Sequence, residues 1–290
     1  MRSLTVAAVQ CASAYLDPVA NASLTERHIR VAAAQGAQLV VLPELVASSY
    51  APGAENFTDL AESASDPGHC LSTWMRLAAE LNVGVIAGFL ERSGDQVFNS
   101  AVVLDPKGQI LDIYRKLHLF GAEQKVFSPG DRGLPIVEIH GARVGVQVCY
   151  DLRFPETLRI LALRGAEVVA VPTAWTGGFD KSTPADGRIG QVDGALVQSN
   201  LNQLFLVCAD QVGQADQATF LGRSIITTPY GEAAAGPLSS TDEAIAVVKL
   251  DLDDVQRARH RGPGIDPFEN RRTDVYAADL GYQEPTKKTW

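Results

Sequence analysis

The stretch GARVGVQVCYDLRFPE at residues 141–156 carries the strongest structural signal in the chain. Its first half alternates valines with smaller or polar residues, as β-strands do, and Pro155 then opens an apolar helical pattern. Cys149 is therefore predicted at the turn from strand to helix. A thiol there should lie near unpaired helix N–H groups and the positive end of a helix dipole, which favour the thiolate. The backbone N–H of Tyr150 is placed to face an oxyanion.

A single cysteine is more often a buried structural residue than a nucleophile, so the rest of the chain must support the catalytic interpretation. The four cysteines show no CxxC pairing and no histidine at metal-ligand spacing. This pattern predicts reduced thiols, with neither a disulfide framework nor a metal site.

Composition limits the classes of function. With 290 residues, 46% of them hydrophobic, the chain is long enough for one large α/β domain or two small ones. A net charge of -9 without a long basic run makes nucleic acid and membrane surfaces poor partners, which favours a small-molecule substrate. No apolar run approaches the roughly 18 residues of a membrane span, and the N-terminal residues resemble a strand. We therefore expect a cytoplasmic protein.

Two predicted strands end next to candidate site residues. The aliphatic run 38–42 ends in Pro43 and Glu44, and the run 167–171 ends in the segment 172–175, PTAW. With the turn at Cys149, these strand ends are predicted to meet at one edge of the fold. Taken alone, Glu44 is equally consistent with a surface carboxylate.

The segment YRKLHLFGAE, residues 114–123, follows another predicted strand and carries Lys116, His118 and Glu123. Taken alone, Lys116 is equally consistent with a solvated side chain. Both halves of the chain mix βα units with paired strands, which predicts an α/β sandwich of two sheets between helical layers. No GxGxxG or GxxxxGK[ST] motif opens a helix, so no nucleotide cofactor is expected.

The order of Glu44 after LVVLP, Lys116 in YRKLHLF and Cys149 in CYDLRFPE resembles the nitrilase, or carbon-nitrogen hydrolase, superfamily. Supporting motifs are AAVQ near the start, K-x-H-L-F at 116–120, GAE and the following strand at 165–172, and G-x-S-x-x-x-x-P-x-G at 222–231. The resemblance implies a four-layer αββα sandwich and a single domain over residues 1–290, with 261–290 as a polar tail. It also implies a homodimer or a higher homo-oligomer. No cofactor is expected, because the sequence shows neither metal-ligand spacing nor a phosphate-binding loop.

The resemblance implies a catalytic glutamate, lysine and cysteine. Cys149 would attack the carbonyl carbon and form a thioester, and Glu44 would act as general base and acid. Lys116, with the Tyr150 N–H, would stabilise the tetrahedral oxyanion. Glu123 matches a second glutamate that helps orient the lysine or the substrate, although a solvated loop face is an alternative. His118 belongs to the K-x-H-L motif as a structural residue.

The residues after Cys149 bear on the class of substrate. True nitrilases commonly carry Trp-Glu after the nucleophile, whereas CYDLRFPE resembles the amidase and carbamoylase branches. Hydrolysis of a small linear amide to carboxylate and ammonia is therefore the primary prediction, and hydrolysis of an N-carbamoyl amine or amino acid is the main alternative. Nitrile hydrolysis and N-acyl transfer are weaker ones.

Three residues are predicted around the substrate. Arg153 is placed to hold a substrate carboxylate, or alternatively to pair with Asp151 or Glu156. Ala174 and Trp175 are predicted pocket walls. The segment 176–190 departs from the pattern common in amidase-like members, which leaves the shape of the pocket open.

Overall fold

Two six-stranded sheets form the centre of the protein. The structure is a computed structural model that describes residues 2–177, 187–216 and 218–279. Within these ranges the strands β1 to β14 are Ser3–Gln10, Leu39–Val41, Gly84–Ser93, Gln96–Leu104, Ile110–Arg115, Ile136–Ile139, Ala142–Val146, Val168–Pro172, Phe205–Ala209, Gln214–Ala215, Ala218–Thr219, Ile225–Thr227, Ala233–Ala235 and Ala244–Asp251. The helices α1 to α6 are Pro18–Ala34, His69–Leu81, Pro155–Leu163, Gly190–Asn202, Asp254–Arg259 and Thr273–Asp279. Most of the loop predicted at 176–190 lies outside the described residues.

The two sheets have matching orders. The first runs β14-β1-β2-β3-β4-β5 and the second runs β13-β12-β9-β8-β7-β6. In each sheet the three central strands are parallel, namely β1, β2 and β3 in the first and β7, β8 and β9 in the second. The carboxyl ends of parallel strands meet at one edge, and in open α/β sheets that edge is where ligands bind.

Hydrophobic side chains fill the spaces between the layers. Val41 of the first sheet and Val144 of the second belong to one cluster, which fills the space between the sheets. Trp74 of α2 packs with the opposite face of the first sheet, and Leu161 of α3 and Val192 of α4 pack with the second. Helices therefore cover both outer faces, and the predicted four-layer αββα sandwich is confirmed.

The end of the chain returns to the beginning of the fold. β14 pairs antiparallel with β1, from Ser3 opposite Asp251 to Gln10 opposite Ala244. Beyond α5, Phe268 lies under the guanidinium groups of two arginines, on α3 and α5, and packs against the main core. The described part of the predicted tail thus contacts the body of the protein. Its last residues, 280–290, lie outside the described ranges, and the assignment of the whole chain to one domain stays a prediction.

Candidate active site

Glu44, Lys116 and Glu123 form a buried cluster at the edge where the strands end. Glu44 follows β2, and Lys116 directly follows β5. The Lys116 ammonium donates to Glu44 Oε1 at 2.7 Å and to Glu123 Oε1 at 2.8 Å. All three side chains are fully buried, so none is the solvated surface group that its residue type suggests.

The backbone around Glu44 is held from several sides. Its N–H donates to Thr173 O, and its carbonyl accepts from Gln211 Nε2 at 2.8 Å. Gly88 of β3 packs directly on this segment, since a Cβ at residue 88 would lie 2.5 Å from Glu44 Cα. Any side chain at position 88 would therefore displace Glu44.

The two oxygens of the Glu44 carboxylate have different surroundings. Oε1 accepts from Lys116 and from Asn99 Nδ2, the latter at 2.7 Å. Oε2 is buried and has no hydrogen-bond partner among the residues that the structure describes. One oxygen is thus fixed by donors while the other is left to accept a proton.

Glu123 collects donors at the far side of Lys116. Its Oε1 accepts from Lys116 and from the hydroxyl of Tyr50 at 2.7 Å, and its Oε2 accepts from the backbone N–H of Phe120. Burial raises the pKa of Glu123, and the adjacent Lys116 opposes that rise. For Lys116, burial lowers the pKa, but the charges of Glu44 and Glu123 outweigh it and the net pKa is raised. Lys116 therefore remains a cation throughout the neutral range.

Cys149 begins a 3-10 helix, Cys149–Arg153, that joins β7 to α3. Its φ is 46°, a left-handed conformation that is strained for a residue with a side chain and that recurs at functional turns. Asp151 holds the turn, since it accepts from the N–H of Val148, from the Tyr114 hydroxyl and from the His118 N–H.

His118 is part of the same support. Its Nδ1 lies 2.8 Å from Asp151 Oδ1, and its ring stacks on Phe154 with 3.5 Å between the centroids. These contacts agree with the structural interpretation of the K-x-H-L motif.

The expected stabilisation of the thiolate by a helix dipole is wrong. α3 begins only at Pro155, six residues after Cys149, and the dipole effect falls off within one turn. Burial and the negative charge of Glu44 raise the pKa of Cys149 well above its usual value, while Lys116 and the backbone of Ala174 lower it less. The raised pKa favours a neutral Cys149 thiol.

A pocket opens above Cys149, with a cavity volume of about 40 Å³. Ala174 and Trp175 lie in its wall, and Arg153 lines it from an exposed position. The Trp175 backbone is fixed because its N–H donates to Asp210 Oδ1 at 2.7 Å. The lining residues are Tyr50, Phe120, Cys149, Tyr150, Leu152, Arg153, Ala174, Trp175, Thr176, Gly190, Gln191 and Gly194.

Three residues of this site, Tyr50, Asn99 and Gln191, were missed by sequence reasoning. Asn99 had a usable signal, because it is a polar residue inside the apolar strand pattern of β4. It points to the same face as Ala101, which packs between the sheets. Tyr50 lies in a loop and Gln191 in the first turn of α4, where polar residues are common, so neither had a comparable signal.

Comparison with known proteins agrees with this fold and site. The family model described as Carbon-nitrogen hydrolase matches residues 5–260. A nitrilase from Pyrococcus abyssi is 35% identical over 273 residues, which is 93% of this chain and 98% of that protein. An N-carbamoylputrescine amidase from Solanum lycopersicum is 33% identical over 290 residues, or 95% of this chain and 94% of that protein.

A solved amidase from Nesterenkonia sp. AN1 superposes with a TM-score of 0.80 at 26% identity, covering 96% of this chain and 97% of that one. That structure is a double mutant in complex with acrylamide. Another structure of the same amidase, with a TM-score of 0.78, shows covalent addition of the acetamide moiety of fluoroacetamide at its active-site cysteine.

Fold and comparisons together define an enzyme that acts on carbon-nitrogen bonds other than peptide bonds. The chain belongs to the carbon-nitrogen hydrolase family, and the resemblance inferred from its motifs is confirmed. Among the described residues no helix is long and apolar enough to cross a bilayer.

Proposed function

We propose that this protein hydrolyses a small linear amide to a carboxylate and ammonia through a thioester on Cys149. One observation carries the proposal, namely the Glu44 carboxylate whose Oε1 is fixed by Lys116 and Asn99 while its buried Oε2 has no partner in the described part of the chain. A general base needs such a vacant oxygen near the proton that it removes.

The charge balance explains why the base must act together with the attack. Glu44, Glu123 and Lys116 sum to one negative charge, and a free thiolate would add a second in a buried site. Transfer of the proton from Cys149 Sγ to Glu44 Oε2 keeps the total unchanged. The thiol therefore loses its proton as its sulfur attacks the carbonyl, and not before.

The reaction then follows two acyl-transfer steps. Sulfur bonds to the carbonyl carbon, and the tetrahedral intermediate collapses when the protonated Glu44 gives its proton to the departing nitrogen, which releases ammonia. Glu44 next takes a proton from water, whose oxygen attacks the thioester. Collapse of the second intermediate returns the proton to sulfur and releases the carboxylate.

Two donors support the oxyanion in both steps. An ammonium group has three N–H donors, and the two glutamates take two of those of Lys116. The third is left for the substrate oxygen. The backbone N–H of Tyr150 is a second donor, because the first N–H groups of a helical turn have no acceptor within it.

Hydrolysis of an N-carbamoyl compound is a second candidate, favoured by the similarity to the N-carbamoylputrescine amidase from Solanum lycopersicum. The same thiol would attack the ureido carbon, and the same glutamate would move the proton. The two kinds of substrate differ in the group that the scissile carbonyl carries besides the leaving nitrogen.

Ammonia release from a panel of linear amides and N-carbamoyl amines tests the proposal. We expect turnover of at least one simple amide, and a mass adduct of its acyl group on the peptide that contains residue 149 after acid quenching. Cys149→Ala should show neither product nor adduct. Cys208→Ala is the matched control, because Cys208 is buried in β9 and should be dispensable. An active Cys149→Ala protein, or an adduct on another cysteine, would reject the mechanism.

We also propose that the protein is a homodimer or a higher homo-oligomer. α3 and α4 lie side by side and expose the large apolar side chains of Ile160, Leu163, Val197 and Leu201. Clustered apolar exposure of this kind marks interaction surfaces. Sedimentation at micromolar concentration should show a species of at least twice the chain mass. An Ile160→Lys/Val197→Lys variant should dissociate it, and a purely monomeric wild-type protein would contradict the proposal.

A further inference from the structure

Gln191 is a buried amide in the substrate pocket, without a hydrogen-bond partner among the residues that the structure describes. It lies in the first turn of α4, the residue is only 7% exposed, and it lines the same cavity as Cys149. Neither Oε1 nor Nε2 has a hydrogen-bond partner among the described residues. Unpaired buried polar atoms are rare in native proteins because their desolvation is not compensated. This amide is thus available to a ligand on both its donor and its acceptor side.

The surroundings restrict what that ligand group can be. Phe120, Leu152 and Trp175 make the lining around Gln191 largely apolar and aromatic, so a substrate group that reaches it leaves water behind. A carboxylate has only acceptors and would leave Gln191 Oε1 unpaired. An ammonium has only donors and would leave Nε2 unpaired. An ammonium would also add a positive charge to a lining that already holds Arg153.

We propose that Gln191 is a specificity-determining residue that pairs with an uncharged carboxamide at the end of the substrate remote from the scissile bond. A primary carboxamide offers one acceptor and two donors in one plane, so it satisfies both atoms of Gln191 at once. The preferred substrate class is then a neutral linear diamide, one amide of which is hydrolysed at Cys149. This inference rests on the proposed function, because only hydrolysis at Cys149 gives the substrate a scissile and a remote end.

The pocket wall beside Gln191 supports a substrate-facing role for this helix. Gly194, one turn further along α4, also lines the cavity, and a Cβ added there meets no atom of the described residues within 4 Å. Space therefore remains open next to the unpaired amide. Gly194→Ala would reduce that space without a backbone clash, and longer diamides should lose more activity than shorter ones.

A series of amides that differ only at the remote end tests the proposal. Malonamide, succinamide and glutaramide establish the preferred length. At the succinyl length, succinamide is compared with succinamate, 4-aminobutanamide and the apolar isostere 4-methylpentanamide. We expect kcat/KM for the best diamide to exceed that of its charged and apolar analogues by about tenfold to a hundredfold, the usual effect of leaving a buried polar group unpaired.

Gln191→Met removes both hydrogen-bonding atoms at nearly constant length and volume. It should lower kcat/KM for the diamide, whose remote carboxamide then lacks a partner, and raise it for the isopropyl analogue, which no longer leaves a buried amide unpaired. Gln198→Met is the matched control on the same helix, since Gln198 lies outside the pocket lining. All substrate ratios should be unchanged in the control.

The outcomes separate this inference from the proposed function. Equal loss of activity on every substrate in Gln191→Met, together with a lower melting temperature, would assign Gln191 to structure and overturn the inference. Ratios of kcat/KM between substrates that are the same in Gln191→Met as in wild type would overturn it as well. Failure of the proposed function would show differently, as hydrolysis of 4-methylpentanamide that survives in Cys149→Ala.

Discussion

Glu44→Gln should lower kcat by roughly 10² to 10⁴, the usual contribution of general acid–base catalysis. Glutamine still accepts hydrogen bonds from Lys116 and Asn99 through its carbonyl oxygen, but it takes up no proton at the position of Oε2. Acylation and deacylation should both slow, because the same carboxylate serves both steps. Stopped-flow ammonia release and quenched mass spectrometry of residue 149 measure the two steps separately.

The same variant makes a prediction about the thiol itself. Glu44 is a negative charge that raises the pKa of Cys149, so its neutralisation should lower that pKa. Alkylation of Cys149 by iodoacetamide should therefore reach its half-maximal rate at lower pH than in wild type. Slow turnover combined with a more reactive thiol distinguishes loss of the base from misfolding. Near-normal turnover in Glu44→Gln would mean that the base is assigned to the wrong residue.

Lys116→Met should reduce kcat/KM by about 10² to 10³, the range typical for loss of one oxyanion donor. Here the thiol should respond in the opposite direction, since Lys116 lowers the pKa of Cys149. The alkylation profile should move to higher pH. Opposite shifts in Glu44→Gln and Lys116→Met are expected only if both groups flank the sulfur.

Removal of Lys116 also leaves two carboxylates buried together, which typically costs about 3 to 5 kcal/mol of stability when one partner of a buried ion pair is lost. The double variant Lys116→Met/Glu123→Gln is the control, because it also removes one of the two buried negative charges. Urea unfolding should show that much of the stability returns, whereas activity should not. Activity recovered along with stability would reduce Lys116 to a structural role.

Residue order and strand ends were sufficient to predict an α/β sandwich of two sheets and to place Glu44 and Cys149 at one edge of it. Glu44 and Cys149 each follow a predicted strand, and parallel strands place their carboxyl ends at one edge whatever the details of packing. Lys116 came from the resemblance, since an isolated lysine carries no signal of burial. The structure shows it fully buried between two carboxylates.

The properties that depend on burial were not predictable from the sequence. The pKa of Cys149 was predicted to fall because a helix start lies nearby in the sequence, yet burial and then the charge of Glu44, more than a hundred residues away, raise it. Asn99 and Gln191 act through atoms whose partners, or lack of partners, depend on distant segments. The local sequence pattern does not indicate which residues from distant parts of the chain will be neighbours.

The crossing of β14 into the first sheet has a consequence for dissecting the chain. Residues 1–130 supply Glu44 and Lys116, whereas Cys149 comes from the remainder, which also carries the strand that pairs with β1. A cut between the exposed residues Asp131 and Arg132 would give two fragments, each with part of the catalytic set. The C-terminal fragment would complete the sheet of its partner by strand addition. Enzymatic turnover would then report fragment complementation, so the fold offers a design for a split-enzyme sensor.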